Sequence, residues 1–201
     1  MRRTTMRQTA MRQGLTIAAA LTLAPTAALA HPGIGEMHGF VHGFAHPLGG
    51  LDHILAMVTV GIFAWQLGGR ALWLVPATFV LAMAIGGALA ITGVPVPMVE
   101  AGIAASVIVL GAIVALGIKA PLAIAMGLVG LFAIFHGHAH GSEMPLTATG
   151  VYAAGLMLAT TLLHMTGIAI GRIGDAYGLA TYRLGGGLVA LAGVAILTHL
   201  I

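Results

Sequence analysis

The 201-residue chain contains no cysteine. That excludes disulfides, thiolate metal sites and iron–sulfur ligation. Charge is almost as scarce: Asp, Glu, Lys and Arg make up 6% of the residues, against roughly a quarter in a soluble domain. With 59% apolar residues and a mean hydropathy of +1.05, the chain reads as integral to a membrane. No G-x-x-x-x-G-K-[ST] segment is present, so no ATP-binding P-loop is expected. No G-x-S-x-G turn accompanies the histidines, which counts against an intramembrane serine protease. The sequence pI near 10.0 does not point to nucleic acid. Four of the eight basic residues, Arg2, Arg3, Arg7 and Arg12, precede residue 13.

Those four arginines fit the positive start of a secretory signal. An apolar stretch from Leu15 to Leu23 follows, then the small-x-small pattern Ala28-Leu29-Ala30. Three parts are therefore expected: a signal peptide over 1–30, a histidine-rich periplasmic segment over 31–49, and a transmembrane domain over 50–201. Six apolar spans are read at roughly 50–68, 71–92, 98–118, 121–139, 147–170 and 182–201. Each is near the ~20 residues a helix needs to cross the hydrocarbon. The fold class is all-α, a polytopic bundle of six transmembrane helices after a cleavable signal. The abundant glycines, Gly86-Gly87 among them, are read as close-packing positions between helices.

Orientation follows from charge. A cleaved signal leaves the mature N-terminus outside the cytoplasm. Arg70, Lys119, Arg172 and Arg183 all fall in the first, third and fifth loops, and none in the second or fourth. This positive-inside pattern places both termini in the periplasm of a bacterial inner membrane.

Against this apolar background stand two histidine clusters. The first contains His38, His42 and His46, followed by Asp52-His53; the second contains His136, His138, His140 and Glu143. Imidazole and carboxylate are costly near hydrocarbon, so their concentration at span ends reads as functional. The topology puts both clusters on the periplasmic side. Nitrogen and oxygen donors without thiols suit a borderline divalent cation. Octahedral Ni²⁺ or Co²⁺ takes about six such donors, and structural zinc four. Asp52, His53 and His136 are expected to form a threshold site at the bilayer, with one or two of His138, His140, Glu143 and His164 completing it and water filling the remainder. His38, His42, His46, His138 and His140 read as capture groups in water. His164, in the fifth span and toward its cytoplasmic side, is expected to receive the ion further in. Cleavage after Ala30 would give His31 a free amine beside its imidazole, a bidentate capture ligand that Pro32 stops from wrapping further. Met57, one turn from His53, reads as packing. Glu100 reads as a solvated loop residue.

The segment His46-Pro47-Leu48-Gly49-Gly50-Leu51-Asp52-His53, with Ala56-Met57-Val58 after it, resembles the first signature of the HupE/UreJ family. Phe135-His136-Gly137-His138-Ala139-His140-Gly141-Ser142-Glu143-Met144-Pro145 resembles the second. The likeness spans essentially the whole chain. It implies a secondary permease for Ni²⁺, in some cases Co²⁺, tied to hydrogenase or urease maturation. On that reading the chain is not an enzyme and holds no permanent cofactor. Its partners are the transported Ni²⁺ and the lipid bilayer, with homo-oligomers open, metallocentre assembly proteins met only indirectly, and no nucleic acid. The competing reading is an intramembrane zinc hydrolase built on Asp52, His53, His136 and His164. A b-type haem subunit would need paired histidines facing one another across helices.

Overall fold

A computed structural model describes residues 35–145 and 148–200. Among these, seven α-helices and one 3-10 turn occur, with no strand: α1 (Gly35–Ala45), the turn His46–Leu48, α2 (Leu51–Leu67), α3 (Ala71–Ile91), α4 (Val99–Leu116), α5 (Leu122–Ser142), α6 (Thr149–Tyr177) and α7 (Leu179–Leu197). The expected signal peptide and His31 lie outside the described residues.

α3, α4, α5 and α6 are each long and apolar enough to cross a membrane. A bent helix pair makes a fifth crossing if its two parts count as one span. Gly39–Leu48 and Leu51–Leu67 meet at an angle of 81°. The break has a local cause: Pro47 sits at the start of the 3-10 turn, and Gly49-Gly50 follow with no side chain to hold a helical turn. The apolar pattern predicts a first span at 50–68, with the segment before it in water. The structure instead makes the described part of that segment a helix packed on α6. Gly39, Gly43 and Gly155 permit this, because a Cβ at Gly43 would strike the Tyr152 carbonyl and one at Gly39 would lie 2.9 Å from the Ala148 Cβ. α7 occupies the place of the sixth span, but its apolar part, Arg183–Leu197, is shorter than the usual crossing.

Glycine contacts set the helix pairing. Residues 78, 83 and 87 of α3 meet glycines 130, 137 and 141 of α5, so these two helices run parallel. On α2, Val58, Gly61 and Trp65 meet Gly167 and Gly171 of α6, again in parallel. α4 and α7 are antiparallel, with Gly111 against Ala190 and Gly193 against Ile108. Without aqueous driving force between helices, such backbone approach through small residues is the main source of association. Gly86 is one of these contacts, as the sequence suggested: a Cβ there would strike the Ile134 carbonyl. Trp73, Leu81, Ile85, Leu188 and Leu191 project large apolar side chains outward at 58–68% exposure. That surface suits lipid, not water.

The two ends of the bundle differ in chemistry. The N-terminal end of α2, the C-terminal end of α5 and the N-terminal end of α6 gather the histidines, as the His53–His140 and His42–Tyr152 ring contacts show. At the opposite end, Arg70 and Lys119 line one cavity of about 300 Å³. Arg172 lies there too, inside the last turns of α6 and not in a loop. Trp65 Nε1–H donates to Asp175 Oδ2 at 2.7 Å, tying the ends of α2 and α6 together.

Candidate metal path

The site begins at the break before α2. Asp52 and His53 occupy the first turn of that helix, where exposed backbone N–H groups favour a carboxylate. Asp52 Oδ1 accepts two hydrogen bonds from His53: the backbone N–H at 2.8 Å and ring Nδ1 at 2.7 Å. A carboxylate only accepts, so Nδ1 carries the proton. In the tautomer this fixes, the lone pair is on Nε2, which is buried without a protein partner. Carboxylates hold metal-binding imidazoles in this way. Gly50 makes room for the pair, since a Cβ there would lie 2.7 Å from Asp52 Oδ1 and 2.9 Å from His53 Nδ1.

α5 supplies the facing imidazoles. His136 and His140 are one turn apart and share a face. The apolar pattern predicts an end to the fourth span near 139, with His138 and His140 at or beyond it in water. The structure continues the helix through Ser142, because Gly137 and Gly141 seat α5 on the backbone of α3 at Met83 and Gly87. His140 is consequently an interior residue, 2% exposed, and not a capture group in water. Both its ring nitrogens are buried without protein partners.

His136 is fully buried, and its tautomer is fixed from the other side. Ser106 Oγ–H donates to the Ile103 carbonyl at 2.6 Å, which uses its only proton. His136 Nε2 lies 3.0 Å from the same oxygen and must be the donor. The lone pair of His136 therefore resides on Nδ1, again buried and without a protein partner.

These rings form a file. His42 and His46 lie 6.0 Å apart, His46 and His140 5.0 Å, His140 and His53 4.5 Å, and His53 and His136 4.9 Å, between ring centroids. Phe79 of α3 comes next, 5.6 Å from His136 and 5.0 Å from His164. His164 is fully buried, with both nitrogens lacking protein partners. It sits near the middle of α6, because that helix runs to Tyr177 and not to about 170 as the sequence reading had it. His46 Nε2 lies 2.9 Å from Glu143 Oε2 at the exposed end of the file.

Not every expected ligand joins. His138 points elsewhere: its Nε2 lies 3.1 Å from the Val94 carbonyl, in the loop between α3 and α4. Two residues further along a helix turn a side chain by roughly 200°, so His136 and His140 can share a face that His138 cannot. His38 lies in α1, and the side-chain position is outside the described residues. Glu100 is exposed at the start of α4. No group of three or more His, Asp or Glu residues among those described is gathered closely enough to hold a metal ion at once. The donors are strung out along the interior. Sequence reasoning missed four contributors: Gly50, Phe79, Ser106 and Tyr152. Ser106 had a readable signal, a lone hydroxyl within an apolar run; the others carry none, since phenylalanine, tyrosine and glycine are ordinary in such helices.

Apolar helices wrapped around a file of buried imidazoles, entered beside a broken helix, define a multi-pass membrane protein with a polar interior. The chain belongs to the HupE/UreJ family. Residues 19–196 match that family, described as HupE / UreJ protein. The Protein HupE of Rhizobium leguminosarum bv. viciae is 50% identical over 186 residues, covering 90% of this chain and 95% of that protein. No solved structure matches the present chain.

Proposed function

We propose that the protein is a secondary transporter that takes Ni²⁺, with Co²⁺ as the alternative ion, from the periplasm into the cytoplasm. The delivered metal would serve hydrogenase or urease maturation, and the protein would not be an enzyme. The observation that carries this reading is the file itself: His53 Nε2, His136 Nδ1 and both nitrogens of His140 and His164 are buried without protein partners. Buried polar atoms ordinarily find partners, and their absence along one line needs an explanation. Lone pairs kept free by Asp52 and Ser106 supply one: they are offered to a passing cation.

Spacing supports passage over storage. Rings 4.5 to 5.0 Å apart give successive stations, each poor in ligands, so an ion is handed on without being trapped. Broken helices at polar stations are a recurring device of transporters. The gathering of Arg70 and Lys119 at the end opposite the histidines supports a cytoplasmic position for that end and periplasmic termini. A membrane potential supplies ~2.3 kcal/mol per charge per 100 mV, about twice that for a divalent ion, so no nucleotide site is required. Neither the geometry nor the relatives favour the hydrolase reading.

The test is accumulation of radiolabelled nickel in cells lacking other nickel importers. Wild type is expected to raise accumulation, and His53→Ala and His140→Ala to abolish most of it at equal membrane abundance. Unchanged accumulation in both variants would overturn the proposal.

A further inference from the structure

One polar atom of the histidine-rich end has no task in the path described. Tyr152, on α6, is fully buried, and its hydroxyl has no protein partner. Its ring lies edge-on to His42 at 5.4 Å and tilted against His46 at 5.8 Å. Glu143, which pairs with His46, is near enough to act electrostatically on the hydroxyl. The ring is held from behind, because α1 packs its Gly43 directly onto the Tyr152 backbone and Gly155 of α6 packs onto Phe40. A residue chosen only for packing here would be phenylalanine, since an unpaired buried hydroxyl is unfavourable. The ring therefore stands at the outermost station, against His42 and His46, and its hydroxyl keeps a hydrogen bond to give or take.

We infer that Tyr152 is a positioning and selectivity residue of this outer station, where its phenolic oxygen accepts a hydrogen bond from water coordinated to the incoming cation. The inference rests on the metal-binding part of the proposed function. The chemistry is specific. A water bound to a divalent cation has committed a lone pair to the metal and turns polarised O–H groups outward. A phenolic oxygen with no other partner is a good acceptor for one of them. His46 uses Nε2 on Glu143, which leaves Nδ1 as its available donor atom to the metal. The station would thus hold the ion through few protein ligands and read the rest of its shell through water. Octahedral ions that keep their waters benefit; an ion that sheds water for four-coordinate geometry gains less. Selection between Ni²⁺ and Zn²⁺ would begin here, before any buried imidazole is reached.

Tyr152→Phe removes only the hydroxyl and keeps the ring between the two histidines. The experiment is titration of the purified full-length protein in detergent with Ni²⁺ and, separately, Zn²⁺, followed by calorimetry, with thermal unfolding as control. The Ni²⁺ dissociation constant is expected to rise about tenfold, the size of one hydrogen bond to a charged group. The Zn²⁺ constant should change less than about threefold, and the unfolding temperature should not fall. Equal Ni²⁺ constants for wild type and variant would overturn the inference, as would equal losses for both metals. Wild type that binds Ni²⁺ with the expected Tyr152 dependence, but does not accumulate it in cells, would sink the transport reading and leave this inference standing. A wild type that binds no Ni²⁺ would sink both.

Discussion

Asp52 is the residue whose role the structure changes most, and its substitutions make a graded test. A carboxylate beside a histidine in sequence suggests two ligands to one ion. The geometry gives one of its oxygens, Asp52 Oδ1, to His53, at 2.7 Å from Nδ1 and 2.8 Å from the backbone N–H. That contact fixes the ring and holds the proton away from Nε2. Asp52→Asn can keep a carbonyl oxygen in the same place, retaining the tautomer while losing the charge. Charge-assisted hydrogen bonds are roughly twice as strong as neutral ones, so this variant should lose the smaller share. Asp52→Ala removes orientation and charge together, frees the ring to turn, and lets the proton settle on Nε2. Loss of an orienting partner typically costs 10- to 100-fold in metal affinity, about 1.4 to 2.8 kcal/mol. We expect about a tenfold rise in the KM for nickel uptake with Asn, and a rise approaching a hundredfold with Ala, at equal abundance in the membrane. Initial rates of radiolabelled nickel uptake across a concentration series give both values. Equal defects in Asn and Ala would show that charge alone matters, and wild-type KM in Ala would refute the orienting role altogether.

Two further substitutions probe the geometry. His138→Ala should leave nickel uptake within about twofold of wild type, because that ring faces the Val94 carbonyl and stands outside the file; a loss as large as that of His140→Ala would contradict the placement. Gly137→Ala should destabilise the protein by about 1–3 kcal/mol, the usual cost of forcing volume into a filled contact, since its Cβ would strike the Met83 carbonyl. A fall in the detergent unfolding temperature, with uptake reduced because α5 carries both His136 and His140, is the expected outcome.

Much of the architecture was legible beforehand. Helices lie where the apolar spans were read, because ~20 apolar residues in lipid have few alternatives to a helix. The two histidine motifs do converge, as the expected grouping of Asp52, His53 and His136 requires, and His140 joins them there through its ring contact with His53. Span ends were the weak point. Gly137 and Gly141 look like helix breakers in a run of histidines, yet each is a packing position against α3 that keeps α5 helical through Ser142. The continued helix carries His140 out of water and into the middle of the file.

The sequence by itself determined the solvent, the class of fold and the donor set. Scarce charge, absent cysteine and long apolar runs leave a helical membrane protein whose interior chemistry must come from imidazole and carboxylate. Tertiary structure decided which donors meet and which atom of each is free. Asp52 became an orienter because the chain breaks at Pro47-Leu48-Gly49-Gly50 and restarts a helix beneath it. His136 took its tautomer from Ser106 on another helix, thirty residues away in sequence. Tyr152 reached His42 and His46 only because α1 packs on α6 through glycine. Such pairings depend on how helices cross, and small residues that let backbones touch set those crossings without leaving a chemical signature in the chain.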